Sequence, residues 1–405
     1  MTQTTEFQPP GPVGSGTMTL AWCERMRRTA PVIKDPATGA VHVFRYADAM
    51  SILSDPATFS SDFASLAPPG DPDVPSFTEA ALTMLDPPRH RQLRGLVSGA
   101  FTPRMTAALE PRIEAVTESL LDAVAGREEI DLVAELTYPL PVIVIAELLG
   151  IPGDDRAMFR GWAESLLSDS RDAAVGTMGD GTVPEETGRH LREMNAYLLD
   201  SIAQRRTRPT GDLVGKLVES EVDGQRLTDA EIVSFVAFLL LAGHLTTTLL
   251  LGNTMLCLDE HPEAMAAVRA DHGRIPALVE EVLRYRPPVV FLYRLTKAPV
   301  TLGGVEVPAG TIVVPWVISA NRDEDRFAGA GRFDIDRPAN AHLTFSHGPH
   351  FCIGAPLARM EARIVLTALL RRYRDIRLAD GAAPTYHQSP DIFGVKRLPV
   401  TVRPA

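Results

Sequence analysis

Apolar residues recur at spacings of three and four over residues 104–125, 132–150, 187–206, 229–258, 276–286 and 356–374, which predicts helices that bury one face. Thr228, with Glu231 three residues later, opens the longest of these as a capping box, and Pro287-Pro288 stops the one that carries EEVLRYR. Strand alternation is rarer. It runs through APVTLGGVEVPAGTIVVPW (residues 298–316) around a Gly-Gly turn, and further short strands are expected near residues 41–45 and 398–403. The pattern predicts a mainly α fold with a small β portion; length alone suggests two or three domains, though no low-complexity linker or repeat marks a boundary within residues 1–405. Two segments rich in Gly, Pro, Asp and Ser, residues 60–79 and 168–186, are expected to be loops and candidate lids.

The stretch IVSFVAFLLLAGHLTTTLLLGNTMLCL (residues 232–258) carries no formal charge and is long enough to span a bilayer. His244, three consecutive threonines, Gly252 and Asn253 interrupt it, and acids flank it on both sides without the Lys or Arg of a topology signal. It is therefore expected in the middle of a soluble core. Composition agrees: of 405 residues, 45% are hydrophobic and 22% charged, and the net charge of −11 argues against a nucleic-acid partner. Three scattered cysteines, Cys23, Cys257 and Cys352, give no disulfide framework, and the N-terminal arm lacks an export signal; a cytoplasmic location is expected.

Cys352 stands in FSHGPHFCIGAPLARMEARIVL, between glycines and histidines and just ahead of a helical pattern. Free N–H groups at a helix entrance favour a thiolate. Gly348 and Gly354 are expected to let the backbone turn sharply beside something large and flat, Pro356 suits a first helical turn, and Phe345 can pack on a planar ligand. A haem iron with an axial thiolate uses all of these features. A zinc site drawn from His342, His347, His350 and Cys352, and an inert buried cysteine, are the alternatives.

The segment F-S-H-G-P-H-F-C-I-G closely resembles the haem-binding signature of the cytochrome P450 family, F-x-x-G-x-H-x-C-x-G. The resemblance implies the P450 fold, with haem between the long central helix and the cysteine loop. Cys352 would be the proximal iron ligand and His350 would reach a propionate. Because C-x-x-C-H is absent, the cofactor would be haem b (iron protoporphyrin IX) without thioether bonds. His90 and Arg94, one helical turn apart in DPPRHRQLRG, would bind propionates together with Arg294. Glu281 and Arg284 of EEVLRY would join Arg337 of RFDIDRP in a buried network behind the haem.

LAGHLTTT resembles the family's oxygen-binding motif. Ala242 and Gly243 would leave room for dioxygen where the helix can open its hydrogen bonding, and Thr246 would be the alcohol that passes protons for O–O cleavage. Thr247 and Thr248 are expected to bond back to the preceding turn. The departure is Leu245, where the family carries Asp or Glu. Protons would then come through Thr246 and ordered water, through a substrate hydroxyl, or through His244. The last is geometrically poor, since consecutive helical residues point about 100° apart.

By the same resemblance, substrate contacts fall to Leu85, Leu241, Leu245, Val289, Val290, Leu292, Ile392 and Phe393. These are largely apolar and suit a bulky hydrophobic molecule, and the motifs resemble those of actinobacterial enzymes that tailor polyketides and macrolides. Arg359, Arg363 and the arginines at 371, 372, 374 and 377 suggest a basic patch for a small acidic ferredoxin, fed by a ferredoxin reductase. The expected protein is a monomeric haem-thiolate monooxygenase that hydroxylates or epoxidises a secondary metabolite with O2. A peroxide-driven peroxygenase and a non-catalytic recruitment module of the same fold are the alternatives.

Overall fold

The computed structural model describes residues 7–63, 66, 81–100, 102–155, 158–159, 161–162, 184–222, 224–338 and 340–405. Most of the two candidate lids, 60–79 and 168–186, lies outside the described residues. The helices used below are α1 (Thr17–Thr29), α2 (Tyr46–Ser54), α3 (Arg89–Ala100), α4 (Pro103–Ala108), α5 (Glu110–Ala123), α6 (Pro139–Leu148), α7 (Glu185–Thr207), α8 (Leu213–Glu219), α9 (Asp229–Glu260), α10 (Pro262–Ala270), α11 (Ile275–Tyr285) and α12 (Ala355–Arg372).

Proline accounts for two departures from the apolar pattern. The helix expected over 104–125 is two helices, because Pro111 sits in the first turn of α5, where its missing N–H costs nothing. The helix expected over 132–150 begins as a π-helical stretch, Val133–Thr137, and becomes α6 only at Pro139. The helix expected over 356–374 ends at Arg372, where Tyr373–Leu378 becomes a strand.

The capping box of α9 forms as expected: the Glu231 N–H donates to Thr228 Oγ1 at 3.2 Å and the Thr228 N–H to Glu231 Oε2 at 2.8 Å. Although α9 is long and apolar enough to cross a bilayer, it is mostly buried against α6, α7, α8, α11 and α12, the position of a core helix.

Two small sheets flank this body. The first runs in the order β1 (Val32–Lys34), β2 (Val41–Val43), β8 (Ile312–Pro315), β5 (Arg294–Thr296), β3 (Phe59–Ser60), with β8 parallel to β2 and the other pairs antiparallel. The second joins β9 (Tyr373–Leu378), β10 (Pro399–Pro404) and β4 (Glu129–Asp131). The expected Gly-Gly turn closes the β6–β7 hairpin (Val300–Leu302 and Val305–Val307), with Gly303 and Gly304 at φ +53° and +83°. The first sheet matters to the site, since β5 presents Arg294 and β8 leads into the Trp316 core.

Candidate functional site

The cysteine loop is a tight, internally bonded turn. The Ser346 N–H donates to the Leu343 carbonyl at 2.8 Å, the Phe351 N–H to Gly348 at 3.1 Å and the Cys352 N–H to Phe345 at 2.9 Å. Gly348 has φ +67°, and a Cβ there would lie 2.9 Å from the Leu53 carbonyl oxygen of α2, so conformation and space both demand glycine. Gly354 corrects the expectation of a second sharp turn. Its φ of −80° is right-handed, and it caps α12, its N–H and that of Ala355 pointing at the Cys352 sulfur. The Cys352 residue keeps an exposed surface, but the protein around its thiol screens it from much of the solvent and pushes its pKa up, while these two N–H groups and Arg94 pull it down. Cys23 and Cys257 are buried, whereas Cys352 is exposed. Phe345 is buried, with the Arg359 guanidinium 4.6 Å from its ring centroid.

The histidines of the zinc alternative are dispersed. His342 Nε2 lies 3.3 Å from Glu280, His347 Nδ1 3.0 Å from Ser54 Oγ and His350 Nε2 3.1 Å from Ser61 Oγ. Among the described residues no group of three or more His, Cys, Asp or Glu side chains could hold a metal ion.

Next to the loop lies a cluster of buried donors. The His90 ring of α3 is 4.2 Å from the His350 ring, and His90 Nε2 is buried without a hydrogen-bond partner. Arg294 is 6% exposed, yet among the described residues its guanidinium donates only to the carbonyl of its own neighbour, Tyr293, at 2.7 Å. Burial lowers its pKa to about 10, an effect Asp86 opposes. Burial, then Arg294 and His90, lowers His350 to about 3. An imidazole nitrogen buried without a partner beside a buried guanidinium is costly, and the cluster fits a group that brings carboxylates. Arg94 is turned differently from the expected pairing with His90: its Nη2 donates to the Phe351 carbonyl at 2.7 Å and ties α3 to the cysteine loop. Ser61 is a loop contact the motifs did not reveal.

Along α9, Phe238, Leu241, Ala242, Leu245 and Thr246 are only half-buried in the middle of an otherwise buried helix, and they share one face. This stripe opens onto a space. The helix stays α-helical through it, contrary to the expected opening, and Thr246 Oγ1 donates to the Ala242 carbonyl at 2.7 Å. Thr248 bonds back to His244 and also reaches the Thr137 carbonyl. Gly243 is also half-buried, and a Cβ there would meet Ile145 Cδ1 of α6 at 2.9 Å, so its small size serves a helix crossing. His244 is 0% exposed, its Nε2 3.1 Å from the Tyr138 carbonyl and its ring against Tyr138, away from Leu245.

The segments around 289–292 and 391–393 pair with each other. Val289 bridges Ile392, the Val290 N–H donates to the Asp391 carbonyl and the Phe393 N–H to the Pro288 carbonyl, both at 2.9 Å. Burial along this ledge divides the expected substrate residues. Val289, Leu292 and Ile392 are half-buried, as is Leu85, whereas Val290 and Phe393 are 0% exposed in a core with Trp22, Phe44 and Trp316. Val290 and Phe393 are therefore packing residues.

Behind the cysteine loop, Arg284 uses all five N–H donors: two to Glu281 at 2.7 and 2.8 Å, and one each to the carbonyls of Asn321, Ala330 and Arg332. Arg337 Nε joins Glu281 at 3.2 Å. Asn340 Nδ2 and the Asp334 N–H complete the carboxylate's acceptance, which the sequence motif did not show.

The expected basic patch is largely neutralised. Arg359 pairs with Glu280, Arg363 with Glu110, Arg372 with Glu118 and Asp122, and Arg377 with Asp375.

The profile of the cytochrome P450 family matches residues 37–401. A cyclomarin C epoxidase from Salinispora arenicola is 46% identical over 94% of this chain and 95% of its own. An erythromycin C-12 hydroxylase from Saccharopolyspora erythraea is 44% identical over 98% and 97%. Among solved structures, the open cytochrome P450 EryK from S. erythraea aligns with a TM-score of 0.88 at 42% identity over 98% of both chains. Ligand-free cytochrome P450 TbtJ1 aligns at 0.87 with 44% identity, over 98% of this chain and 100% of that one. A cysteine at a helix entrance, a buried and unpartnered His90 nitrogen beside Arg294 and these matches lead to one conclusion: the chain belongs to the cytochrome P450 family of haem monooxygenases.

Proposed function

We propose that this protein is a cytoplasmic, monomeric, single-domain haem-thiolate monooxygenase that hydroxylates or epoxidises a bulky apolar secondary metabolite of the polyketide or macrolide type, with electrons from a ferredoxin and its reductase. The observation that carries the reading is the buried, unpartnered Nε2 of His90 beside Arg294 and His350, next to the one exposed cysteine. Haem b would fit there, held by Cys352 through its iron and by His90, His350 and Arg294 through its carboxylates. When bound, it supplies dioxygen activation and the insertion of one oxygen atom into a C–H bond or an alkene.

The chain's own residues do the rest. Ala242 and Leu245 keep the open stripe of α9 narrow and apolar. Thr246 holds a proton on Oγ1, parked on the Ala242 carbonyl, and rotation about its χ1 presents that hydroxyl to the open side. Leu245 cannot carry a proton and His244 is turned to the Tyr138 carbonyl, which leaves ordered water or a substrate hydroxyl to bring protons to Thr246. Val289, Leu292, Ile392 and Leu85 offer an apolar wall, which suits a substrate like those named for the erythromycin and cyclomarin relatives.

The test is spectroscopic. The reduced protein under carbon monoxide should show the red-shifted Soret band of thiolate ligation, and Cys352→Ser should abolish it. A wild-type protein without the band sinks the reading. Labelled dioxygen in the product would then separate monooxygenation from peroxide-driven turnover.

A further inference from the structure

Asn253 lies two helical turns beyond Thr246 on the same face of α9 and is 0% exposed. Its Nδ2 donates to two carbonyls from different chain segments: Arg286 at 3.1 Å and Phe393 at 2.9 Å. Arg286 precedes the Val289–Leu292 half of the substrate ledge, and Phe393 follows Ile392 in the other half. One amide thus holds both strands of the ledge to the helix that carries Ala242, Leu245 and Thr246.

The fit around it is close. A Cβ on Gly394 would lie 2.6 Å from Leu249 Cδ2 and 3.1 Å from Asn253 Oδ1, and one on Gly252 would lie 2.7 Å from Val395 Cγ2. These glycines let the ledge press directly on α9. Phe393 is locked from the other side by Gly16, where a Cβ would come within 2.5 Å of its ring. The ledge therefore has little freedom to move along α9 as long as the amide is made.

Resting on the function proposed above, we infer that Asn253 is a positioning residue for substrate: its two hydrogen bonds set the gap between the Val289, Leu292 and Ile392 wall and the oxygen-side stripe of α9. It touches no reacting atom and acts through the ledge. Without it the wall drifts, and large ligands lose their seat while small ones do not.

The test compares two iron-binding azoles by absorbance titration of the ferric holoprotein: imidazole, too small to need the wall, and clotrimazole, large enough to rest on it. Asn253→Leu keeps the volume and removes both bonds; Asn253→Asp keeps the shape and places a carboxyl against two carbonyls. In both variants the imidazole Kd should stay within about twofold of wild type and the clotrimazole Kd should weaken by about tenfold or more, as buried carbonyls lose their donor and the preorganised wall relaxes. A lowered Tm with an unchanged ratio of the two Kd values would make Asn253 a mere stabiliser and overturn the inference. Should neither variant fold, Gly394→Ala, which drives the ledge off Leu249, should produce the same split, and equal effects on both azoles would again overturn it. Failure of the wild type to bind either azole or give the carbon monoxide band would instead remove the haem reading underneath.

Discussion

Glu361 shows how one residue can weigh on the whole protein without serving the chemistry. It lies on the inner side of α12 and is 2% exposed, with a carboxylate oxygen that has no hydrogen-bond partner. Burial raises its pKa from the ordinary 4.5 to about 8. The folded acid holds its proton where the unfolded one has lost it, so stability is full below the unfolded pKa and falls as pH rises toward 8. Glu361→Gln removes the titration and keeps the shape. The variant should match wild type near pH 4, exceed it by about 2–4 kcal/mol at pH 8 and show a flatter pH profile in denaturant melts of the holoprotein. Nothing in the structure explains why an acid occupies this position. The apolar stripe of α12 places Ala362 and Val365 inside, but a charged letter just ahead of them reads as solvated, and only packing reveals that this one is not.

Elements differ in how far their roles can be read from residues alone. Helix spacing made the Glu281–Arg284 pair legible and the family resemblance added Arg337, while the structure adds what the motif cannot show, three carbonyls from residues 321, 330 and 332 that complete the Arg284 fork. Arg284→Lys keeps the charge but cannot fill five acceptors. It should cost about 3–5 kcal/mol and lower the yield of haem-loaded protein, with little effect on the turnover rate per haem that remains. Haem content against total protein checks it. The central helix was legible for a similar reason, a long uncharged run with its own cap, and so was the cysteine loop, whose residues are close in sequence. Substrate contacts were not. Alternation says that Val289 and Val290 face opposite ways, but not which way, and that choice is made by a core built from α1, β2 and β8. Strands of two or three residues, such as Phe59–Ser60, carry too few letters to show a period and exist only because a neighbour pairs with them. Asn253 stood in the sequence as a flaw in an apolar run, though it is the anchor of the ledge.

At the scale of the whole molecule, the charge distribution decides how an electron donor arrives. The protein carries a net −11, so an acidic ferredoxin is repelled at long range and must be drawn by a local positive field. The arginines of α12 were the sequence's candidates for that field, but most are spoken for: Arg359 by Glu280, Arg363 by Glu110 and Arg372 by Glu118 and Asp122. These partners come from α5 and α11, distant in sequence, which is why the stripe of arginines looked free. The Arg363–Glu110 pair is half-exposed, so it contributes little to stability and much to the local potential. Glu110→Gln releases the Arg363 charge and deletes one of the 51 acids. If the donor docks on this face, reduction by an acidic ferredoxin under carbon monoxide, followed by stopped flow, should quicken by about two- to fivefold at low ionic strength. The gain should vanish as salt shortens the Debye length to about 10 Å or less, and peroxide-supported turnover, which needs no protein partner, should not change. A rate that ignores the substitution at every salt concentration would place docking elsewhere, with the ion pairs of α12 then serving only to fasten it to α5 and α11.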